Sequence, residues 1–100
     1  MAFEAIRYEL LVGPDEVTVT GTSQTLAELG ITLDGTAKRL TLTSSNLRLV
    51  SWANGTTAVE GTNQFPDLGM VEIDIAASVA ALLEFVTDGT EVKVSIVQEG

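Results

Sequence analysis

The chain has 100 residues, no cysteine, no histidine and a formal net charge of -9. That is the length of one ordinary domain, spanning 1–100, with enough chain to bury a core without covalent staples. Without Cys there are no disulfides, thiolate nucleophiles or Cys-built zinc sites; without His the usual general base and metal imidazole are gone; and five basic against fourteen acidic residues give nucleic-acid phosphate little to bind.

In chain order, Met1–Arg7 lacks a basic segment followed by an apolar one, so the expectation is a chain made in a cytosol without a secretory leader. No apolar run has the length of a membrane span. Ile6, Tyr8, Leu10 and Val12 share one parity, which reads as a half-buried strand ending at Gly13-Pro14. Val17 and Val19 give a second, short strand. Ser23–Gly30 has N-cap candidates in Ser23 and Thr25 and a closing glycine, the signature of one or two helical turns. Leu40 and Leu42 alternate with Arg39, Thr41 and Thr43 as a strand. Leu47–Trp52 and Thr56–Glu60 are strand-like around Asn54-Gly55, which predicts a hairpin. Gly61–Gly69 reads as a longer loop. Val71, Ile73 and Ile75 alternate with Glu72 and Asp74. Ala76–Ala80 suits a short helical turn before a strand from Leu82, and Asp88-Gly89 predicts a second hairpin onto Thr90–Gln98.

Thirteen threonines and these period-two runs point to an all-β fold: a small antiparallel two-sheet β-sandwich, of jelly-roll type, with one or two short helical turns. The Phe3–Val12 and Thr90–Gln98 strands are terminal, so either is a candidate edge for pairing with a neighbouring subunit.

The chemistry-bearing patterns are sparse. Asp15-Glu16 and the Glu72/Asp74 pair read as solvated carboxylates, and no EF-hand or phosphate-binding loop is present. The serines have no His to activate them, and the spacing of Lys38 and Lys93 does not suggest a Ser-Lys pair. Asn54-Gly55-Thr56 matches a glycosylation sequon but reads first as a turn. The reading is therefore a protein without catalytic residues, metal or cofactor. Among the aromatics, Tyr8, Phe85 and Trp52 are core candidates. Trp52 with Phe65 is also a candidate interface anchor, or a sugar-binding platform if both rings are exposed.

Four stretches carry a resemblance. They are Gly21–Gly30, with its Gly-Thr-x-Gln-Thr-Leu run; the paired segments Ala37–Thr43 and Leu47–Trp52; Asn54–Ala58 followed by Phe65-Pro66 and Gly69–Ile73; and Leu83–Val86 through Thr90–Val94. Over roughly residues 20–98 the layout resembles small β-sandwich virion proteins of tailed bacteriophages, the capsid decoration or cement type. Asn54 stands where that pattern has Asp, and Ala58 interrupts its Pro-Thr step. The resemblance implies a structural protein located in the virion and assembled in the host cytoplasm. Its partners would be the major capsid protein or other virion proteins, in homo-oligomeric or lattice-bound copies. A tail or neck component, or a carbohydrate-binding or adhesive sandwich, are the alternatives.

The acidic charge is uneven: residues 49–100 carry eight acids and one base, Lys93. The less acidic first half is therefore expected to supply more of a docking contact. Arg7, Lys38, Arg39 and Arg48 join Trp52 and Phe65 as candidate interface residues.

Overall fold

The computed structural model describes residues 8–100. They form strands β1 (Leu10–Val19), β2 (Gln24–Thr25), β3 (Arg39–Thr43), β4 (Ser51–Asn54), β5 (Met70–Asp74), β6 (Leu83–Val86) and β7 (Val92–Glu99). A 3-10 turn covers Leu47–Leu49, and a one-turn helix α1 covers Ala77–Ala80. One sheet has the order β1-β7-β3-β5 and the other β2-β6-β4, with every pair antiparallel.

The core is the layer between the two sheets. Val17, Val19, Leu40, Leu42, Val92, Val94 and Ile96 face it from the larger sheet, and Leu83 and Phe85 from the smaller. Burial along β7 alternates strictly, with Val92, Val94, Ile96 and Gln98 inside, as a strand with one wet face requires. Leu26, Leu47, Val50 and Ala80 close the layer from the connections.

Consecutive strands always lie in different sheets. Every connection thus crosses the sandwich, and the strand orders are those of a jelly roll. In the smaller sheet, the place of a further strand beside β4 is held only by an isolated bridge, Ser51 to Gln64.

This topology corrects both expected hairpins. The Asn54-Gly55 turn forms, with Gly55 at φ +77°. The chain beyond it, Thr56–Glu60, is not a strand, and β4 pairs with β6 instead. Of those five residues only Ala58 is buried, so a strand there would gain little from burial. The Asp88-Gly89 turn also forms, but it delivers β6 and β7 to opposite sheets. Leu83 and Phe85 can face Val94 and Ile96 only across the sandwich, and a hairpin would lay them side by side. Leu47–Trp52 is corrected as well. Leu47 and Val50 are both buried at a spacing of three, which suits the 3-10 turn, and the strand begins at Ser51.

The expected break at Gly13-Pro14 is absent, and β1 runs through it as one strand along β7. The ladder shifts between Leu10 and Val12 and again between Val12 and Asp15, a bulge that absorbs the irregular residues and returns Val17 and Val19 to the core face. Proline is tolerated because β1 is an edge strand. Of the residues expected to share an inward parity, Tyr8 and Val12 are half-buried but Leu10 is 63% exposed; Ile6 lies outside the described residues. Gly13 has φ +110°, and a Cβ there would sit 2.6 Å from the Ile96 carbonyl oxygen. Gly13→Ala is expected to cost about 1–3 kcal/mol from the backbone conformation alone. Chemical denaturation reads this as a lower midpoint, and an unshifted midpoint would show that the bulge relaxes freely.

Of the expected Phe3–Val12 strand, Phe3–Arg7 lie outside the described residues and Leu10–Val12 open β1. β7 lies between β1 and β3, so it offers no edge, whereas β1 does. The helical turns expected over Ser23–Gly30 do not form: the segment holds the short strand β2, paired with β6, and then a turn over residues 26–30. The Thr25 N–H donates to Glu28 Oε1 (3.0 Å) and the Glu28 N–H to Thr25 Oγ1 (3.2 Å), a reciprocal capping box. The turn at Ala76–Ala80 and the strand after it appear as expected, one residue late.

Two turns are held by ionised carboxylates. The Thr36 hydroxyl and N–H donate to Asp34 Oδ1 (2.6 and 2.8 Å), and the Thr90 N–H donates to Asp88 Oδ1 (2.9 Å). These bonds hold both carboxyls below their ordinary value. Each therefore contributes stability that is complete above the unfolded value, about pH 3.9, and is lost as pH falls through the folded one. Asp34→Asn is expected to flatten the acid limb of a stability-against-pH curve. An acid limb identical to the parent's would mean that the Thr36 bonds do not favour the ionised form.

Candidate protein-binding groove

The two sheets end, on one side, in β5 and β4. Between these edges a groove of about 510 Å³ opens, lined by Trp52, Phe65, Val71, Ile73 and Ile75 and floored by Phe85. It lies where the smaller sheet stops one strand short. The alternation of β5 aims Val71 and Ile73 inward, yet they and Ile75 remain only half-buried.

The aromatic rings step outward from the core. Phe85 is 2% exposed and stacks on Phe65, with centroids 6.0 Å apart. Phe65 is 7% exposed and meets Trp52 at 6.4 Å in a tilted pair. Trp52 is half-buried at the rim. The two aromatic candidates of the sequence thus come together, but as floor and rim. A sugar platform needs two exposed rings, and Phe65 does not supply one. Tyr8 is a correction among the core candidates: it lies under the Arg39 guanidinium, 4.2 Å from the ring centroid, outside the core cluster.

The β4 side of the groove is partly closed. The Trp52 N–H donates to the Asn63 carbonyl and the Phe65 N–H to the Val50 carbonyl, both at 3.1 Å. The β5 side pairs with β3 alone among the described residues.

The basic candidates do not gather into a patch. Arg39 lies on the outer face of the larger sheet, opposite the face that lines the groove. It donates to Asp74 Oδ1 at 2.9 Å and sits 3.1 Å from Glu72 Oε2. The Asp74 bond first, and the charge of Asp74 and Glu72 with it, raise its pKa against a smaller desolvation. Arg48 is exposed and 3.6 Å from Asp67. Lys38 is exposed, and its main chain ties β7 to the end of β5: its N–H donates to the Glu99 carbonyl (2.8 Å) and its carbonyl accepts the Ile75 N–H (2.9 Å). Arg7 lies outside the described residues.

Glu72 and Asp74 share the outward face expected of them and converge on one guanidinium, which makes them ion-pair partners rather than an acid/base couple. Among the described residues no cluster of three or more carboxylates is placed to hold a metal, and every buried side-chain polar atom has a partner. No helix of the described residues is long and apolar enough to cross a membrane. Sequence reasoning missed Val71, Ile73 and Ile75 as groove residues. Their alternation was visible, but it read as core, because nothing local says that the opposite sheet ends early.

No family model matches the chain, and no curated protein or solved structure does.

Proposed function

We propose that this chain is a non-enzymatic structural protein of a phage virion, of the capsid decoration type, that docks on the capsid lattice and stabilises it. The observation that carries the docking part is the apolar groove between β4 and β5, with a half-exposed Trp52 at its rim and, among the described residues, an unpaired sheet edge along one side. Aromatic anchors beside a pocket are the usual energetic centre of a protein contact. The virion context rests on the resemblance of residues 20–98 to small β-sandwich virion proteins. The acidic balance fits it, because net negative charge keeps such a protein off a packaged genome.

Cosedimentation with purified particles tests the reading, together with particle stability after the protein is stripped and added back. The expected result is saturable binding and a raised disruption temperature. A chain that stays in the supernatant and is absent from virions would overturn it.

A further inference from the structure

The open edge of β5 has a definite hydrogen-bonding phase. The Ile75 N–H donates to the Lys38 carbonyl and the Ser44 N–H to the Gly69 carbonyl, each at 2.9 Å. The register between them pairs Leu40 with Ile73 and Leu42 with Val71. In an antiparallel ladder hydrogen-bonded pairs recur at every second residue. Gly69, Val71, Ile73 and Ile75 therefore face β3 with their backbone groups. Met70, Glu72 and Asp74 turn their N–H and C=O groups the other way, to the open edge. Among the described residues no backbone hydrogen bond reaches those three. The same alternation puts the Val71 and Ile73 side chains in the groove and those of Glu72 and Asp74 on the outer face.

Natural proteins blunt a free edge with lysine, proline, an inward charge or a bulge. β5 has no lysine, proline, inward charge or bulge, and its protection is its short length and the outward carboxylates Glu72 and Asp74: its sequence is Met-Val-Glu-Ile-Asp, and its register with β3 is unbroken. The charges it does carry select the occupant. Two carboxylates, Glu72 and Asp74, share the single guanidinium of Arg39, so the outer face along this edge keeps negative charge. A second copy is disfavoured, because a two-fold pairing of β5 centred on Glu72 sets Glu72 against its own copy, and like charges directly opposite destabilise a ladder.

We infer that the open edge of β5 takes up an extended segment of a partner protein as an added strand. Its alternate apolar side chains sit in the groove against Trp52 and Phe65, and its intervening Lys or Arg side chains lie beside Glu72 and Asp74. Backbone bonds supply affinity in this mode, and the groove and carboxylates supply the choice of sequence. The inference rests on the docking reading for the existence of a protein partner and adds the edge, the mode and the charge of the segment.

The test uses the isolated full chain and two short synthetic peptides, one alternating valine with lysine and one alternating valine with glutamate. The lysine peptide is expected to shift Trp52 emission, to slow amide exchange at Met70, Glu72 and Asp74, and to bind at least about tenfold more tightly than the glutamate peptide. Glu72→Lys with Asp74→Lys, surface changes that leave the β3 ladder in place, is expected to reverse that preference. Glu72→Pro removes an outward N–H without touching a bond to β3 and is expected to abolish the exchange protection.

Equal binding of the two peptides, no binding of either, or protection confined to β1 would overturn the inference. So would a dimer with Met70, Glu72 and Asp74 protected in the absence of peptide. The docking reading is separable. A chain that cosediments with particles but ignores the lysine peptide loses only the strand-addition inference, and one that binds the peptide but never associates with particles loses only the virion role.

Discussion

Gln98→Leu is expected to destabilise the domain by about 1–3 kcal/mol, although it nearly keeps the side-chain volume and adds an apolar group to the interior. Gln98 is 1% exposed and occupies the fourth inward position of β7, after Val92, Val94 and Ile96. Its Nε2 donates to the Thr32 carbonyl (2.9 Å) and its Oε1 accepts the Asp34 N–H (2.7 Å). The side chain thus stands in for a strand partner that the 32–34 segment lacks. Leucine removes both bonds from part-buried backbone groups, and each such hydrogen bond contributes about 0.5–1.5 kcal/mol net. Denaturant titration measures the loss, and hydrogen exchange at Asp34 locates it. Unchanged stability with a slow Asp34 amide would mean that the segment is held by something else.

The long period-two strands were legible in the sequence and their partners were not. The period-two runs at Leu40–Leu42, Val71–Ile75 and Val92–Ile96 reappear as β3, β5 and β7, because alternation is a property of one strand against one core. Pairing is a property of two strands, and here every connection leads to the opposite sheet. Asn54-Gly55 and Asp88-Gly89 did reverse the chain with positive φ at the glycine, which is all that a turn dipeptide specifies. Gly13-Pro14 misled for a related reason: a bulge on an edge strand needs the same residues as a strand end. At the site, the pairing of Trp52 with Phe65 was readable from residue type. The burial of Phe65 was not, since it depends on contact with Phe85 and on the bond from the Phe65 N–H to the Val50 carbonyl. The first-half location of the basic residues was readable too. Their neutralisation by Asp67, Glu72 and Asp74 from the second half was not, and it weakens the case for Arg39 and Arg48 as free docking charges.

Trp52→Ala is expected to separate docking from folding. The ring packs on Phe65 and the margin of the core cluster but is only half-buried. Its removal should therefore cost well under the roughly 3–5 kcal/mol of a fully buried ring, leaving a folded domain. At a docked interface the same ring would be fully desolvated, and loss of such an anchor costs about 2 kcal/mol or more, roughly a thirtyfold weaker complex. Particle binding of the variant, measured beside its thermal midpoint, gives both quantities. Leu10→Ser supplies the comparison: Leu10 is 63% exposed on β1, the opposite edge of the larger sheet, and its replacement should leave binding unchanged. If Leu10→Ser abolishes binding while Trp52→Ala spares it, the contact belongs to β1. The groove would then be only the margin of a small sheet that ends one strand early, and the half-burial of Val71, Ile73 and Ile75 would be a cost to stability with no return in binding.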